Sequence, residues 1–217
     1  MGRRALRKID PRLDLSRQLK TFEELPSPWH AEILFCRRAP LEIDVGSGKG
    51  LFLTRSAAAH PERDFLGIEI SRKYARFTAA RLAKREMTNA VVVCGDALRL
   101  FEDVLNEGCA RAVHIYFPDP WWKKRHKKRR VMTEQFLHNV ERALEPGGSL
   151  HFWTDVKEYF DTSLDVIAQA TRLVILSTPG EQPAADSLDY RTHFERRMRI
   201  HDEAVFRAAF AKPAAAG

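Results

Sequence analysis

From Leu41 onward the chain repeats one pattern: a short apolar run, a turn carrying glycine, acid or proline, then a helix-length amphipathic stretch. Leu41–Val45, Asp64–Ile70, Ala90–Cys94, Ala112–Phe117 and Ser149–Thr154 read as strands, and Leu173–Leu176 and Ala204–Ala211 as two closing strands. Helices are expected over about Trp29–Arg37, Leu51–His60, a long stretch capped by Ser71, about Thr133–Leu144, and a last one reaching about Ala170. Pro146-Gly147-Gly148 reads as the turn before the fifth strand. Strands alternating with helices of this length predict an α/β fold: a mostly parallel, seven-stranded sheet with helices on both faces. A chain of 217 residues holds one such domain. Residues 1–40 read as a basic N-terminal arm and short helix, 41–212 as the domain, and 213–217 as a disordered tail.

Open sheets of this kind bind ligands beyond the carboxyl ends of their strands. Those ends carry Asp44, Glu69, Asp96, Asp119 and Asp155, all acidic. The first is followed by Gly46-Ser47-Gly48-Lys49-Gly50, where glycines allow a tight turn and close approach of a ligand to the main chain. A dinucleotide loop would place its third glycine one residue later, and a carboxylate beside a pyrophosphate repels it. The same carboxylate favours a sulfonium and an α-amino group. Glu69 stands where an acid accepts from ribose hydroxyls, and Asp96 where one meets an adenine amino group. Three acids in this order point to S-adenosylmethionine.

Lys and Arg number 36 against 29 Asp and Glu, a formal charge of +7, which suits a polyanionic partner. The charge is concentrated where the fourth strand ends, in Tyr116-Phe117-Pro118-Asp119-Pro120-Trp121-Trp122 followed by Lys123 to Arg130, a basic run broken only by His126. Two prolines hold Asp119 in extended backbone. The run reads as a phosphate-gripping wall beside a base pocket. Cys36, Cys94 and Cys109 are scattered, and the histidines show no ligand spacing, so reduced thiols and no metal are expected. No apolar run approaches the roughly 18 residues of a membrane span. No secretory signal follows the basic first residues, so a cytoplasmic protein is expected.

These segments resemble the bacterial tRNA (guanine-N7)-methyltransferase family from about Leu41 to Lys212. The residues that carry the resemblance are Asp44 with Gly46, Gly48 and Gly50; Gly67-Ile68-Glu69; Gly95-Asp96-Ala97; Phe117-Pro118-Asp119-Pro120-Trp121; Lys123 to Arg130; Thr154-Asp155; and Thr192-His193-Phe194-Glu195. The resemblance implies a Rossmann-like class I S-adenosylmethionine-dependent methyltransferase. It implies cofactor binding by Asp44, Gly46, Gly48, Glu69, Asp96 and Ala97, and an active-site acid at Asp119. Substrate contacts would come from Lys123, Asp155, Thr192, His193, Phe194 and Glu195. Arg125, His126, Lys127, Lys128, Arg129 and Arg130 would grip tRNA, whose variable loop would carry the target guanine. The chain departs from the family at Trp122, where Pro or His is usual, and in the charged residues after Glu195.

The expected chemistry is in-line displacement, with guanine N7 using a lone pair that is an acceptor even in a duplex and Asp119 holding the base. Two other readings stay open on the sequence. One is an amino methyltransferase acting on adenine or cytosine, whose motif at this position is typically Pro-Pro-aromatic. The other is a noncatalytic RNA-binding module on a methyltransferase fold.

Overall fold

In the computed structural model, residues 6–121, 130–176, 192, 195, 198, 201 and 203–214 are described. The strands are β1 (Leu19–Lys20), β2 (Leu41–Val45), β3 (Asp64–Glu69), β4 (Ala90–Cys94), β5 (Ala110–Tyr116), β6 (Leu144–Thr154), β7 (Val174–Leu176) and β8 (Phe206–Ala211). The helices are α1 (Ala31–Phe35), α2 (Leu51–Ala59), α3 (Arg72–Ala83), α4 (Ala97–Arg99), α5 (Glu134–Ala143) and α6 (Lys157–Ala170). They build an 8-stranded sheet of order β1-β4-β3-β2-β5-β6-β8-β7. Only β8 runs antiparallel, and it does so to both neighbours.

All seven expected strands are present. The eighth, β1, is a correction: Leu19 and Lys20 pair with Val92 and Val93 at the edge of β4. Two residues carry no readable periodicity, so a pairing this short leaves no mark in the sequence, although Leu19 packs against the smaller core. Pro146-Gly147-Gly148 is not a separate turn either. It is drawn into β6, where the register shifts between Ala110 and Ala112. There the Gly147 N–H donates to the Lys212 carbonyl and the Lys212 N–H to the Gly148 carbonyl. No described helix is long and apolar enough to cross a membrane.

Alternation along the strands divides the apolar side chains between two cores. Ile43, Val45, Leu66, Ile68, Val91, Val93, Ile115 and Phe152 join Trp29, Phe136, Val140, Tyr159 and Ile167 in the larger one, beneath α5 and α6. Phe65, Ala90 and Val92 face Leu53, Ala57, Ala75, Ala79 and Leu82 of α2 and α3 in the smaller. Within the N-terminal 40 residues, Leu25, Trp29 and Phe35 are buried in the larger core.

On the α2 side, β2 places Glu42 level with Ala112 of β5 and Asp44 level with His114. Glu42 is 6% exposed as a residue and holds two partners: Arg63 Nη1 at 2.7 Å and His114 Nε2 at 2.8 Å. His114 Nδ1 lies 2.9 Å from the Tyr116 hydroxyl. Burial pushes the Glu42 carboxyl up, but His114 and Arg63 outweigh it and bring the group down to about 2.

A carboxylate depressed in the folded state stabilises above its unfolded value near 4.5, and that stability is lost as pH falls toward 2. Glu42→Gln is therefore expected to cost about 3 kcal/mol at pH 7. It should also flatten the acid limb of stability between those two values, as read by urea unfolding across a pH series. An unchanged acid limb would remove Glu42 as its source.

Candidate active site

The loop after β2 is built from main-chain hydrogen bonds. The N–H groups of Gly46 and Ser47 both donate to the Ile68 carbonyl, each at 2.9 Å, tying the loop to the end of β3. Gly50 opens α2 with a φ of 66°, and a Cβ there would lie 2.3 Å from Thr78 Cγ2. Conformation and space therefore both require glycine at this position. Thr78 Oγ1 donates to the Gly48 carbonyl at 3.0 Å, and Arg81 Nη1 donates to the Lys49 carbonyl at 2.8 Å. With its carbonyls held by α3, the loop turns the Gly48 N–H to Glu69 Oε2, 2.8 Å away.

Three of the expected acids border this loop in three different states. Asp44 is buried, and its Oδ2 has no hydrogen-bond partner; the Ser47 hydroxyl oxygen is likewise buried and unpartnered. Burial and the nearby Glu69 raise the Asp44 carboxyl to about 8. Glu69 is raised as well, by burial first, while the N–H groups of Ser71 and Gly48 oppose the rise and the charge of Asp119 adds to it. Its two oxygens accept from those N–H groups at 2.7 and 2.8 Å, which leaves further lone pairs for another donor. Asp96 is half-buried and caps α4, its Oδ1 accepting from the Leu98 N–H at 2.9 Å. Ala97 begins that short helix, which continues as a π turn over Leu100–Val104.

The segment after β5 is conformationally unusual. Phe117 and Trp121 adopt φ of 51° and 44°, left-handed values that cost bulky side chains on the order of 1–3 kcal/mol each. They bracket Pro118-Asp119-Pro120. The strain is held from both ends. The Phe117 N–H donates to the Trp153 carbonyl at 2.7 Å, and Arg130 Nε donates to the Pro120 carbonyl at 2.8 Å. Arg130 also lies over the Tyr159 ring, 4.9 Å from its centroid. This last residue of the basic run is thus half-buried and braces the loop. Asp119 is exposed, yet near enough for its charge to act on Glu69.

Asp155, half-buried, follows β6. Thr192 Oγ1 accepts from the Glu195 N–H at 2.9 Å, and Glu195 is 4% exposed. Its Oε1 is 3.5 Å from Arg207 Nη2 of β8. The Arg207 guanidinium stands 5.0 Å from the centre of the Trp153 ring, which in turn tilts against Tyr116 at 4.8 Å. The structure therefore brings Asp44, Glu69 and Asp119 into one electrostatic neighbourhood and ties Glu195 to the sheet. Lys123, Arg125, His126, Lys127, Lys128, Arg129, His193 and Phe194, together with Trp122, lie outside the described residues. Arg207 and Trp153 are not among the site residues the sequence predicts, and neither is the left-handed backbone at Phe117 and Trp121. An arginine inside the otherwise apolar Ala204–Ala211 run is the one signal that pointed to Arg207. Among the described residues no group of 3 or more His, Cys, Asp or Glu is placed to hold a metal.

A buried carboxyl without a partner, beside an unpartnered hydroxyl and a glycine loop, fits a cationic amino acid and sulfonium better than a phosphate. The fold and this loop define an S-adenosylmethionine-dependent methyltransferase. A solved aminoglycoside resistance methyltransferase shares the fold at a TM-score of 0.57 and 18% identity, over 83% of this chain and 91% of its own. An rRNA methylase from Streptococcus thermophilus does so at 0.53 and 15%, over 81% and 87%. The family described as "Putative methyltransferase" matches residues 38–208. A tRNA (guanine-N(7)-)-methyltransferase from Rhodopirellula baltica is 47% identical over 98% of this chain and 80% of its own length. One from Alcanivorax borkumensis is 33% identical over 98% and 86%. The chain belongs to the tRNA (guanine-N7)-methyltransferase family.

Because the folded Asp44 carboxyl titrates far above its unfolded value of 3.8, the native state holds a proton that the unfolded chain releases. Stability of the ligand-free protein must fall as pH rises from about 4 to about 8 through this group. Asp44→Asn is expected to raise the melting temperature of the ligand-free protein at pH 8 and to leave it nearly unchanged at pH 4. Equal shifts at both values would contradict the assignment.

Proposed function

We infer that the chain transfers a methyl group from S-adenosylmethionine to N7 of a guanine in tRNA. The observation that carries this reading is the buried, unsatisfied Asp44 carboxyl at the glycine loop, in a chain whose close relatives bear that activity in their names. When bound, S-adenosylmethionine supplies an electrophilic methyl group that N7 takes in line.

Asp44 ionises against the cationic end of the ligand, which replaces the hydrogen-bond partner it lacks. Glu69 accepts from the ribose hydroxyls with the lone pairs its two backbone donors leave. Asp96 meets the adenine amino group through Oδ2, beside Ala97. Asp119 holds the guanine through its N–H donors and balances the positive charge that arrives on the purine. No proton leaves N7, so Asp119 works by orientation and electrostatic preorganisation rather than as a strong base. Strain at Phe117 and Trp121 fixes where that carboxylate stands before the base arrives. Asp155, Thr192 and Glu195, with Lys123, His193 and Phe194, contact the substrate. Arg125 to Arg130 grip the phosphates around the variable loop, Arg130 with the guanidinium nitrogens its brace leaves over. The substrate places the work in the cytoplasm.

Asp119→Ala is expected to lower kcat by about 10²–10³ without changing affinity for S-adenosylhomocysteine. Glu69→Ala should weaken that affinity more than it slows turnover. The test is labelled methyl transfer to unmodified tRNA, followed by nucleoside analysis. A 7-methylguanosine product that disappears with Asp119→Ala supports the reading. A different methylated nucleoside would assign the site to amino methylation, and a loss in kcat below about tenfold would remove Asp119 from its role.

A further inference from the structure

Away from the strand tips, a concave surface of about 960 Å³ crosses the outer side of α2, from Leu51 and Phe52 at its start to His60 and Arg63 beyond its end. Its walls carry Arg55, Arg63, Arg81, Arg85 and Arg111. Its floor includes the imidazoles of His114 and His151, stacked at 4.9 Å with 14° between planes. Among the described residues Glu42 is the one acid in the lining, and Arg63 and His114 already engage it. Arg111 is paired outside the groove with Glu145, at 3.1 Å.

Arg63 pairs with Glu62 as well as Glu42, so the excess of positive charge lies toward the α3 side of the groove, and at one point it is crowded. Arg81 lies in the last turn of α3 and Arg85 in the turn just beyond the helix end. Burial and the charge of Arg85 both lower the Arg81 guanidinium from its ordinary value. An anion between the walls relieves that repulsion.

We propose that this arginine-walled groove is a second tRNA contact, holding phosphodiester backbone beyond the catalytic rim. The proposal rests on tRNA being the substrate. The arginines come from α2, the turn after it, α3, the turn after that and β5, which suits a row of phosphates better than a single small anion. α2 has 9 residues and is about 13 Å long, on the order of the rise of four phosphates along one duplex strand. Among the described lining residues the Lys/Arg cations are all arginine, whose planar fork matches phosphate oxygens. RNA that places a guanine at Asp119 has stems to accommodate on a neighbouring face, and this is the face with the charge to hold them.

The test uses the full chain carrying Arg55→Gln and Arg85→Gln together, with Arg55→Lys and Arg85→Lys as the charge-keeping pair. Arg172→Gln, on the α5–α6 side, serves as the control. The slope of log K for tRNA against log salt should fall by about 1.5–2 in the glutamine pair and stay at the wild-type value in the lysine pair and the control. KM for tRNA should rise about tenfold near 0.1 M salt, with kcat and affinity for S-adenosylhomocysteine unchanged. An unchanged slope and KM, with methylation intact, would overturn the groove and leave the activity standing. A reduced slope in a protein that forms no 7-methylguanosine would keep the groove and overturn the activity.

Discussion

Asp44 sits at the end of a strand paired on both sides by parallel neighbours, β3 and β5, so its backbone has no freedom to carry the side chain to solvent. The loop that follows folds back onto the Ile68 carbonyl and closes over it. Burying a carboxyl without a partner is unfavourable, and the protein keeps it protonated up to about pH 8 in consequence. The neighbouring acids are arranged around that constraint. Glu69 accepts from the Gly48 N–H of the same loop and from the Ser71 N–H beyond β3, and Asp96 spends one lone pair on capping α4. Of these three acids, Asp44 alone keeps an oxygen both buried and uncommitted. A ligand that brings a positive charge to this point repairs the defect, so the site recognises charge by lacking it.

The other half of the site is conformational. Asp119 owes its position to two aromatic residues in left-handed backbone and to contacts from distant elements: the Trp153 carbonyl of β6 at one end, Arg130 on Tyr159 of α6 at the other. Behind it, Tyr116, Trp153, Arg207 and Glu195 form a continuous path from β5 through β6 and β8 to the Thr192–Glu195 segment. The antiparallel strand β8 thus does more than widen the sheet, since it carries the arginine paired with the buried Glu195.

Much of this was readable before any coordinates. Apolar, β-branched runs such as Val91-Val92-Val93 specify buried strands whatever surrounds them, and acids after such runs mark the ligand edge. What escaped notice depends on partners far apart in the chain. β1 is defined only by what β4 offers it. Glu42 looks like a polar residue in a strand until Arg63 and His114 are seen beside it. Arg130 looked like the end of a phosphate-binding run, and its brace on Pro120 and Tyr159 is a tertiary fact. The left-handed backbone at Phe117 and Trp121 carries no sequence mark, because neither residue type favours it.

The place of β8 between β6 and β7 has a bearing on how the chain is made. Synthesis delivers Val174–Leu176 some thirty residues before Phe206–Ala211, yet among the described residues β7 pairs only with β8. While the intervening residues emerge, the open edge of β6 and the exposed Val174, Ile175 and Leu176 both lack their strand partner. β8 must therefore insert and join both neighbours at once, a long-range closure of the kind that folds late and leaves edges open to wrong partners meanwhile.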